Sequence, residues 1–554
     1  MKTISMKLIV SVLATVALSN VASAKERYLV MYKSQQGYAA MNQYMLTEGV
    51  SSLKVEDSLA NINGQVLEVS NAKAIEALKN HPEVLVVEAE RFSPAPKPVN
   101  GYKLARAVRT WNEVAPVASD DTQSVPHLNE GVATPWGIMA VHAGAAWDNA
   151  QAGKNARVLV LDTGIDPKHP ALKANFEKGR NFFQSFDGPN PEDFIDKEGH
   201  GTHCAGTIAG AYNEKTGFTG VAPLAKILMG RVCGDLGCSN IAVAQGINWG
   251  IQEKVDVISM SLGGPSSSSA ERTAVANAEK AGVTVVAASG NGGNPQVSFP
   301  AALPTVVAVG AVDSSITKTS FSQWGPELDI VAPGAAVVST VPQGTGRDSS
   351  TEITIDGQST LVKSAAFGGT KLFATPKVGE LVPAGLGKAE DFKGINVAGK
   401  FALISRGEIT FADKVKNALA AKAAGVVVYN NTTGLMQGAL TEDGSELDVA
   451  VVMIEQTVGL KLVEQIKAGQ KASAAISTSA SDYAMFDGTS MATPHVAGVV
   501  ALIKSANKKL TPAQIRTILA TTATALTPND QNQYGKGMVQ ADKAVNMALS
   551  GNVE

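Results

Sequence analysis

Cysteine is scarce in this chain. Three residues in 554 are too few for a disulfide-held scaffold, and the odd number leaves at least one thiol unpaired within the chain. An excess of charge of one sign is also missing. The formal net charge is -3 and no Lys/Arg cluster stands out, which excludes the footprint of a nucleic-acid binder and a polybasic membrane patch. Long apolar runs are lacking too, since the run Leu8 to Leu18 is well short of the roughly 20 residues that cross a bilayer. Aromatic residues contribute only 5% and charged residues 18%. Glycine (53), proline (24) and a 44% hydrophobic share are plentiful, which suits a loop-rich globular α/β chain and not a disordered or coiled-coil one. At roughly 100 to 200 residues per domain, the length calls for more than one.

Residues 1–24 have the three parts of a secretory signal: Lys2 and Lys7, the apolar run, then the small-residue site Ala22-Ser23-Ala24. Cleavage after Ala24 is expected, giving an exported, soluble protein in a compartment where disulfides form. Residues 25–92 read as a small α+β unit, with strands at Tyr28 to Tyr32, Gln65 to Val69 and Glu83 to Ala89 and a helix at Asn71 to Asn80. Pro94, Pro96, Pro98, Pro116 and Pro126 then mark a stretch with little periodicity, and 93–120 reads as a linker.

From about Trp136 the pattern alternates strand, Gly-rich turn and helix. The runs Arg157 to Leu161, Asp256 to Leu262, Val283 to Ala288 and Thr305 to Val309 lack polar alternation, as parallel strands covered on both faces do. A doubly wound, mostly parallel α/β sheet is expected over 121–343 and 482–554. Residues 344–481 break the pattern, with strand-like runs at Lys400 to Ile404, Gly425 to Tyr429 and Val449 to Ile454 and a helix at Thr410 to Ala424. They read as an inserted domain, because helix-forming α/β sequence resumes at Ser490.

Three motifs carry chemistry. In RVLVLDTGID, Asp162 follows an apolar strand, which places a carboxylate at the strand's carboxyl end, where open α/β sheets put their sites; alone, an Asp after a strand is more often a turn or helix-cap residue. In GHGTHCAGTIAGA, His200 opens a run of small residues that reads as a closely packed helix. His200 and His203 are spaced as metal ligands can be, but no acidic residue completes a zincin arrangement. In FDGTSMATPHVAGVVALIKSA, Ser490 stands where a Gly-containing turn enters a helix, so backbone N–H groups and the helix dipole face charge developing on a bound carbonyl. Gly488-Thr489-Ser490-Met491-Ala492 is not the G-x-S-x-G elbow of α/β-hydrolases.

Taken together, these motifs, in the order Asp, His, Ser known for subtilisins, resemble the subtilisin-like serine proteases over Trp136 to Pro342 and Asp482 to Leu549. The resemblance implies that Asp162 orients the imidazole, His200 acts as general base then acid, and Ser490 attacks the scissile carbonyl. It implies an oxyanion hole formed by Asn291, from VVAASGNGGN, with the Ser490 N–H. It further implies that Ser261, Leu262, Gly263 and Gly264 pair with extended substrate, and that Ala288, Ser289 and Gly290 wall the first specificity pocket. Ser298 and Phe299 at the pocket floor bring no acidic group, so an apolar or broad preference is expected. Residues 25–92 resemble the inhibitor-like, ferredoxin-like propeptides of this family, whose C-terminal tail blocks the cleft, and TQSVP resembles mature N-termini, which puts maturation near residue 121. The insertion resembles the protease-associated (PA) domain, through Gly399 to Asn431.

Cys233 and Cys238 flank Gly234-Asp235-Leu236-Gly237, and in an exported protein a small disulfide-closed loop is the preferred reading, with modest stabilisation. Cys204 is then unpaired beside the histidine motif. No cofactor is expected for catalysis. Structural calcium accompanies the resemblance without a ligand set, because Gln123 and Glu214 fall near expected oxygen ligands while Ala171 stands where many relatives have Asp. The leading expectation is a secreted, extracellular or periplasmic endopeptidase, monomeric, acting on proteins or peptides and held by its own propeptide, with no nucleic-acid partner and no membrane span. The alternatives are a specific processing protease, a transpeptidase, or a catalytically silent binding module on the same fold.

Overall fold

A computed structural model of the chain describes residues 26–48, 53–70, 72–99, 124–128, 134–183, 190–441 and 444–551. The expected signal sequence, residues 100–120 of the linker, the maturation point near 121 and Gln123 lie outside the described residues. The chain divides into two compact units, 1–90 and 91–554.

In the first unit the order strand, helix, two strands, helix, strand builds a four-stranded antiparallel sheet ordered Leu53–Leu59, Gly64–Val69, Glu26–Tyr32, Val84–Ala89. This is a split βαβ arrangement of ferredoxin type. In the helix Ala72–Lys79, Ile75 and Leu78 stand three residues apart and pack with Val30, Tyr32, Leu67 and Val69.

The second unit is built on seven parallel strands ordered Ile330–Pro333, Val306–Val312, Thr284–Ala288, Val257–Met260, Arg157–Asp162, Lys226–Arg231, Phe176–Asn181. Val158, Leu159, Val160 and Leu161 are all fully buried, which explains why the sequence runs apolar without alternation. Val257–Met260 and Lys226–Arg231 flank the Arg157–Asp162 strand, so the strand order reverses beside Asp162. Such a switch point opens a crevice at the strands' carboxyl ends. The helix Thr489–Ala506 is buried along nearly its whole length under this sheet.

Residues 346–481 form a second sheet of eight strands, with helices Phe411–Ala420 and Gln456–Lys467 and separate cores on its two faces. Sequence patterning found its parallel strands at Phe401–Ser405, Gly425–Tyr429 and Ala450–Ile454 but not the long antiparallel ones at Gly346–Ile355, Phe373–Pro383 and Ala472–Ser481. The first and last are rich in Ser, Thr and Ala, and all three are half exposed or more, so no apolar run marks them. The insertion leaves and rejoins the main body through an antiparallel ribbon, Val337–Thr340 against Tyr483–Phe486. Its Gln437 accepts from Met485 N–H at 2.7 Å and donates to the Arg347 carbonyl at 2.9 Å.

Candidate active site

Asp162 ends its strand fully buried, and its Oδ1 accepts hydrogen bonds from Thr163 N–H (2.7 Å) and His200 Nδ1 (2.8 Å). His200 begins the helix His200–Ala209, whose approach to the Asp162 turn is made possible by Gly201. A Cβ there would fall 2.2 Å from the Gly164 carbonyl oxygen. One residue overlooked in the sequence fixes this meeting. The buried carboxylate of Asp196 accepts from Thr163 Oγ, Thr202 Oγ and the N–H groups of Glu198, Gly199 and Thr202, while Gly201 N–H donates to Thr163 Oγ. Asp196 thus ties the strand end to the helix start, and only its place four residues before the histidine in the sequence hints at it.

Burial alone opposes protonation of His200, but the adjacent Asp162 carboxylate overrides it and holds the imidazole well above the ordinary histidine range. His203 behaves differently. Its ring stacks on Phe486 at 4.5 Å and its Nε2 bonds the Val337 carbonyl, and burial pushes its pKa down to about 3. It is a packed helix residue and not a metal ligand. Among the described residues, Asp162, His200 and Cys204 form the only cluster of three potential metal-ligating groups, and its carboxylate and imidazole are already hydrogen-bonded to each other.

Ser490 is the second residue of its eighteen-residue helix, following Gly488 at φ 154°. Pro494 lies four residues on and has no N–H, so the Ser490 carbonyl escapes the usual helix bond. That carbonyl accepts instead from Ser261 Oγ at 2.8 Å and Cys204 Sγ at 3.6 Å. Cys204 is buried and also sits 3.8 Å from His200 Nδ1, so it bridges the serine and histidine helices. Burial raises its thiol pKa. The Ser490 hydroxyl donates to the Ser261 carbonyl at 3.0 Å, and His200 Nε2 is buried without a hydrogen-bond partner. Rotation of the hydroxyl from Ser261 towards the imidazole would complete a nucleophile-base couple.

Asn291 Oδ1 accepts from both Thr489 N–H and Thr489 Oγ, each at 2.8 Å, which turns its Nδ2 towards the cleft. Thr489 was not singled out by the sequence and is the residue that orients this donor. The cleft itself measures about 430 Å³, and Ser261, Leu262, Gly263, Gly264, Ala288, Gly290, Asn291, Ser298 and Ser490 line it. Ser289 does not. It is fully buried behind the wall, its Oγ donating to the Gln323 carbonyl, because alternate residues of an extended segment face opposite sides. Phe299 pairs by backbone with Gly264 and is likewise absent from the lining. Gln323 is an unanticipated wall residue. Its amide donates to the Gln296 carbonyl and Ser298 Oγ and accepts from Gly292 N–H, so its polar atoms are spent on the wall and no charged side chain joins the pocket there.

Cys233 and Cys238 are joined by a disulfide. It closes the turn between the strands Cys233–Gly234 and Gly237–Ser239. Residues 93–99, expected to begin the linker, continue from the pairing with the second of these strands into the cleft instead. Arg91 N–H donates to Asn240 Oδ1 and its carbonyl accepts from Asn240 N–H, Ser93 and Phe92 pair antiparallel with Cys238 and Ser239, Pro94 to Lys97 line the cleft, and Val99 N–H donates to the Asp487 carbonyl at 2.7 Å. The calcium expectation fits these residues poorly. Glu214 is exposed on a turn whose Asn213 Oδ1 is already taken by the N–H groups of Lys215 and Thr216, and Ala171 is a buried apolar residue.

Comparison with known proteins follows the same lines. The subtilase family model matches residues 153–384 and the PA domain model residues 377–462. The chain is 34% identical to subtilisin amylosacchariticus of Bacillus subtilis subsp. amylosacchariticus over 356 residues, which cover 62% of this chain and 82% of that one. It is 36% identical to an alkaline protease of Shouchella clausii over 343 residues (62% and 81%). The crystal structure of a psychrophilic subtilisin-like protease from the Antarctic psychrotroph Pseudoalteromonas sp. AS-11 superposes with a TM-score of 0.59 at 32% identity, covering 75% of this chain and 99% of that one.

Proposed function

The chain belongs to the subtilase family of serine proteases, and from that footing we propose that it is a secreted endopeptidase of broad, apolar-leaning preference, made as a self-processed zymogen and acting through an acyl-enzyme. The reading is carried by the buried Asp162–His200 pair, 2.8 Å apart, which Cys204 links to a serine at the N-terminal end of a buried helix.

In this mechanism Ser490 Oγ attacks the scissile carbonyl and passes its proton to His200 Nε2, while Asp162 holds the ring by Nδ1 and stabilises the imidazolium. The developing oxyanion takes hydrogen bonds from Asn291 Nδ2 and Ser490 N–H. His200 then delivers the proton to the leaving nitrogen, and water repeats the sequence to release the acyl group. No step requires a metal or cofactor. The uncharged pocket wall around Gly290, Ser298 and Gln323 supports an apolar or broad choice for the residue before the scissile bond. Export rests on the signal-like residues 1–24. Among the described residues no helix is long and apolar enough to cross a membrane.

Casein hydrolysis by the processed protein, compared with Ser490→Ala, tests the reading. The wild type should digest casein and the variant should not, and the variant should keep residues 25–120 attached in a host lacking other proteases. A protein that digests casein without Ser490 would refute it.

A further inference from the structure

A second cavity, about 620 Å³ against about 430 Å³ for the catalytic cleft, lies where the insertion meets the main body and shares no lining residue with the cleft. The insertion lines it with its short strand Ser364–Ala366 and the preceding Lys363, and the main body with Phe218 and the ribbon residues Val338, Tyr483 and Met485. Sites for small ligands have volumes of about 300 to 1,000 Å³ and favour such junctions.

The lining specifies what would fit. Ser364–Ala366 is the end strand of the eight-stranded sheet. It pairs antiparallel with Ala450–Ile454, and among the described residues its backbone bonds to no strand beyond. An unpaired edge of this kind accepts an extended chain as an added strand, main-chain bonds giving affinity and side-chain pockets giving choice. The Phe218 and Tyr483 rings lie 4.7 Å apart and Val338 faces Met485 across the ribbon, so an apolar side chain finds apolar walls. Charge completes the picture. Arg347 is spent on the Thr345, Gly346 and Thr370 carbonyls and on Glu446, and Asp348 Oδ1 accepts from Ser349 N–H. Lys363 is exposed, and among the described residues its ammonium pairs with no carboxylate. An anion beside an apolar side chain on an extended backbone is the carboxyl end of a peptide whose last residue is apolar. A serine protease of apolar preference makes such an end at every cut, because the acyl half leaves with its new carboxylate on the residue that filled the first pocket.

We propose that this cavity binds extended peptides ending in an apolar residue, the acyl-side products of the enzyme's own cuts, by strand addition to Ser364–Ala366 and a carboxylate–Lys363 pair. The proposal rests on the serine-protease reading above. Occupancy bears on the catalytic residues through the ribbon. The Ser339 and Thr340 hydroxyls donate to the His203 and Thr202 carbonyls at 2.8 and 2.7 Å, and Gly206 makes room for them, since a Cβ there would fall 2.1 Å from Thr340 Oγ1. A ligand that binds this arrangement favours it, so bound peptide should stabilise ribbon and histidine helix together.

The test titrates the full-length Ser490→Ala chain, which cannot digest the probe, with an acetylated five-residue peptide ending in phenylalanine, as free acid and as C-terminal amide. The acid should bind saturably, raise the unfolding midpoint as its concentration rises, and bind about threefold tighter than the amide, the worth of an exposed ion pair. Lys363→Glu, added to the same chain, should reverse that preference without moving the midpoint of the unliganded protein. A peptide with benzoylphenylalanine as its last residue, photolysed on the unmodified Lys363 protein and mapped by mass spectrometry, should label Phe218, Tyr483 or Met485. Absence of binding, equal affinity for acid and amide, an acid preference that survives Lys363→Glu, or label confined to Gly264, Ser298 and the rest of the cleft would each overturn the proposal. Casein digestion by the wild-type chain is scored in parallel. Digestion without peptide binding sinks this inference alone, whereas binding without digestion sinks the protease reading and leaves the cavity as a peptide site.

Discussion

Asn291 and Thr489 offer a graded test of how the oxyanion donor is held. Asn291→Ala removes the donor itself and should lower kcat by about 10² to 10³, the loss known for the equivalent group in subtilisin. The cost at Thr489 does follow from the geometry. Two bonds of 2.8 Å fix the Asn291 amide, one from Thr489 N–H and one from Thr489 Oγ. Thr489→Val removes the second and leaves the first. A neutral hydrogen bond contributes about 0.5 to 1.5 kcal/mol net, so kcat should fall roughly 2- to 13-fold with KM little changed. Thr489→Ser keeps the hydroxyl and should recover most of the rate. Once Asn291 is alanine there is no amide to orient, so Thr489→Val in that background should cost only the bond its Oγ accepts from Gly290 N–H at 3.2 Å, and less than in the wild type. Steady-state kinetics on a chromogenic tetrapeptide measure all four proteins. Equal penalties for Asn291→Ala and Thr489→Val, or an undiminished Thr489 effect in the double variant, would refute the reasoning.

Acid should destabilise the fold through two buried neutral histidines, His203 with a pKa of about 3 and His495 of about 4. Between pH 6.5 and about 4 the unfolded chain binds more protons at both sites, so stability should fall by about 1.4 kcal/mol per pH unit for each; the raised His200 contributes a constant stabilisation in that window and loses it only as pH rises through its own higher pKa. Urea unfolding of Ser490→Ala protein measures the slope, which a flat profile would contradict. The same raised His200 should put the acid limb of kcat/KM above 6.5, and a limb below that value would remove the claim. Cys204, buried with a raised thiol pKa, should resist iodoacetamide in the native state, and its forced modification should block the site by crowding His200; full activity after proven alkylation would exclude this. Deleting 344–481 should leave a folded enzyme, because the Val337–Thr340 and Tyr483–Phe486 ribbon already brings the cut ends together; its ratio of protein to peptide cleavage should rise if the PA domain restricts access, and an unchanged ratio would dismiss that role.

Much of the catalytic sheet was legible because buried parallel strands must be apolar throughout, and Asp162, His200, Asn291 and Ser490 lay in motifs dense enough to read. The residues that hold them were not. Asp196, Thr489 and Gln323 are ordinary polar residues whose meaning comes from partners distant in the chain: Asp196 from Thr163, Thr489 from Asn291 198 positions away, and Gln323 from Gly292 and Ser298. The family resemblance implies Ser289 in the wall with Ala288 and Gly290, although alternation turns its side chain inward. The exposed antiparallel strands of the insertion left no periodic apolar signal.

The prolines show most clearly what composition conceals. Read along the chain, Pro94, Pro96 and Pro98 mark a linker, an inference that starts from proline's poor fit to regular structure. In the structure the missing N–H acts positively each time. At Pro494 it frees the Ser490 carbonyl for Ser261 and Cys204, tethering the nucleophile's backbone from outside its own helix. Beside the cleft it ends the strand pairing at Ser93, and Pro94 and Pro96 line the cavity with Ser490. An alanine at position 494 would restore a helical donor to the Ser490 carbonyl, in competition with Ser261. The expected result is a more regular helix with a lower kcat, and unchanged kcat would show that the tether does not matter to the nucleophile.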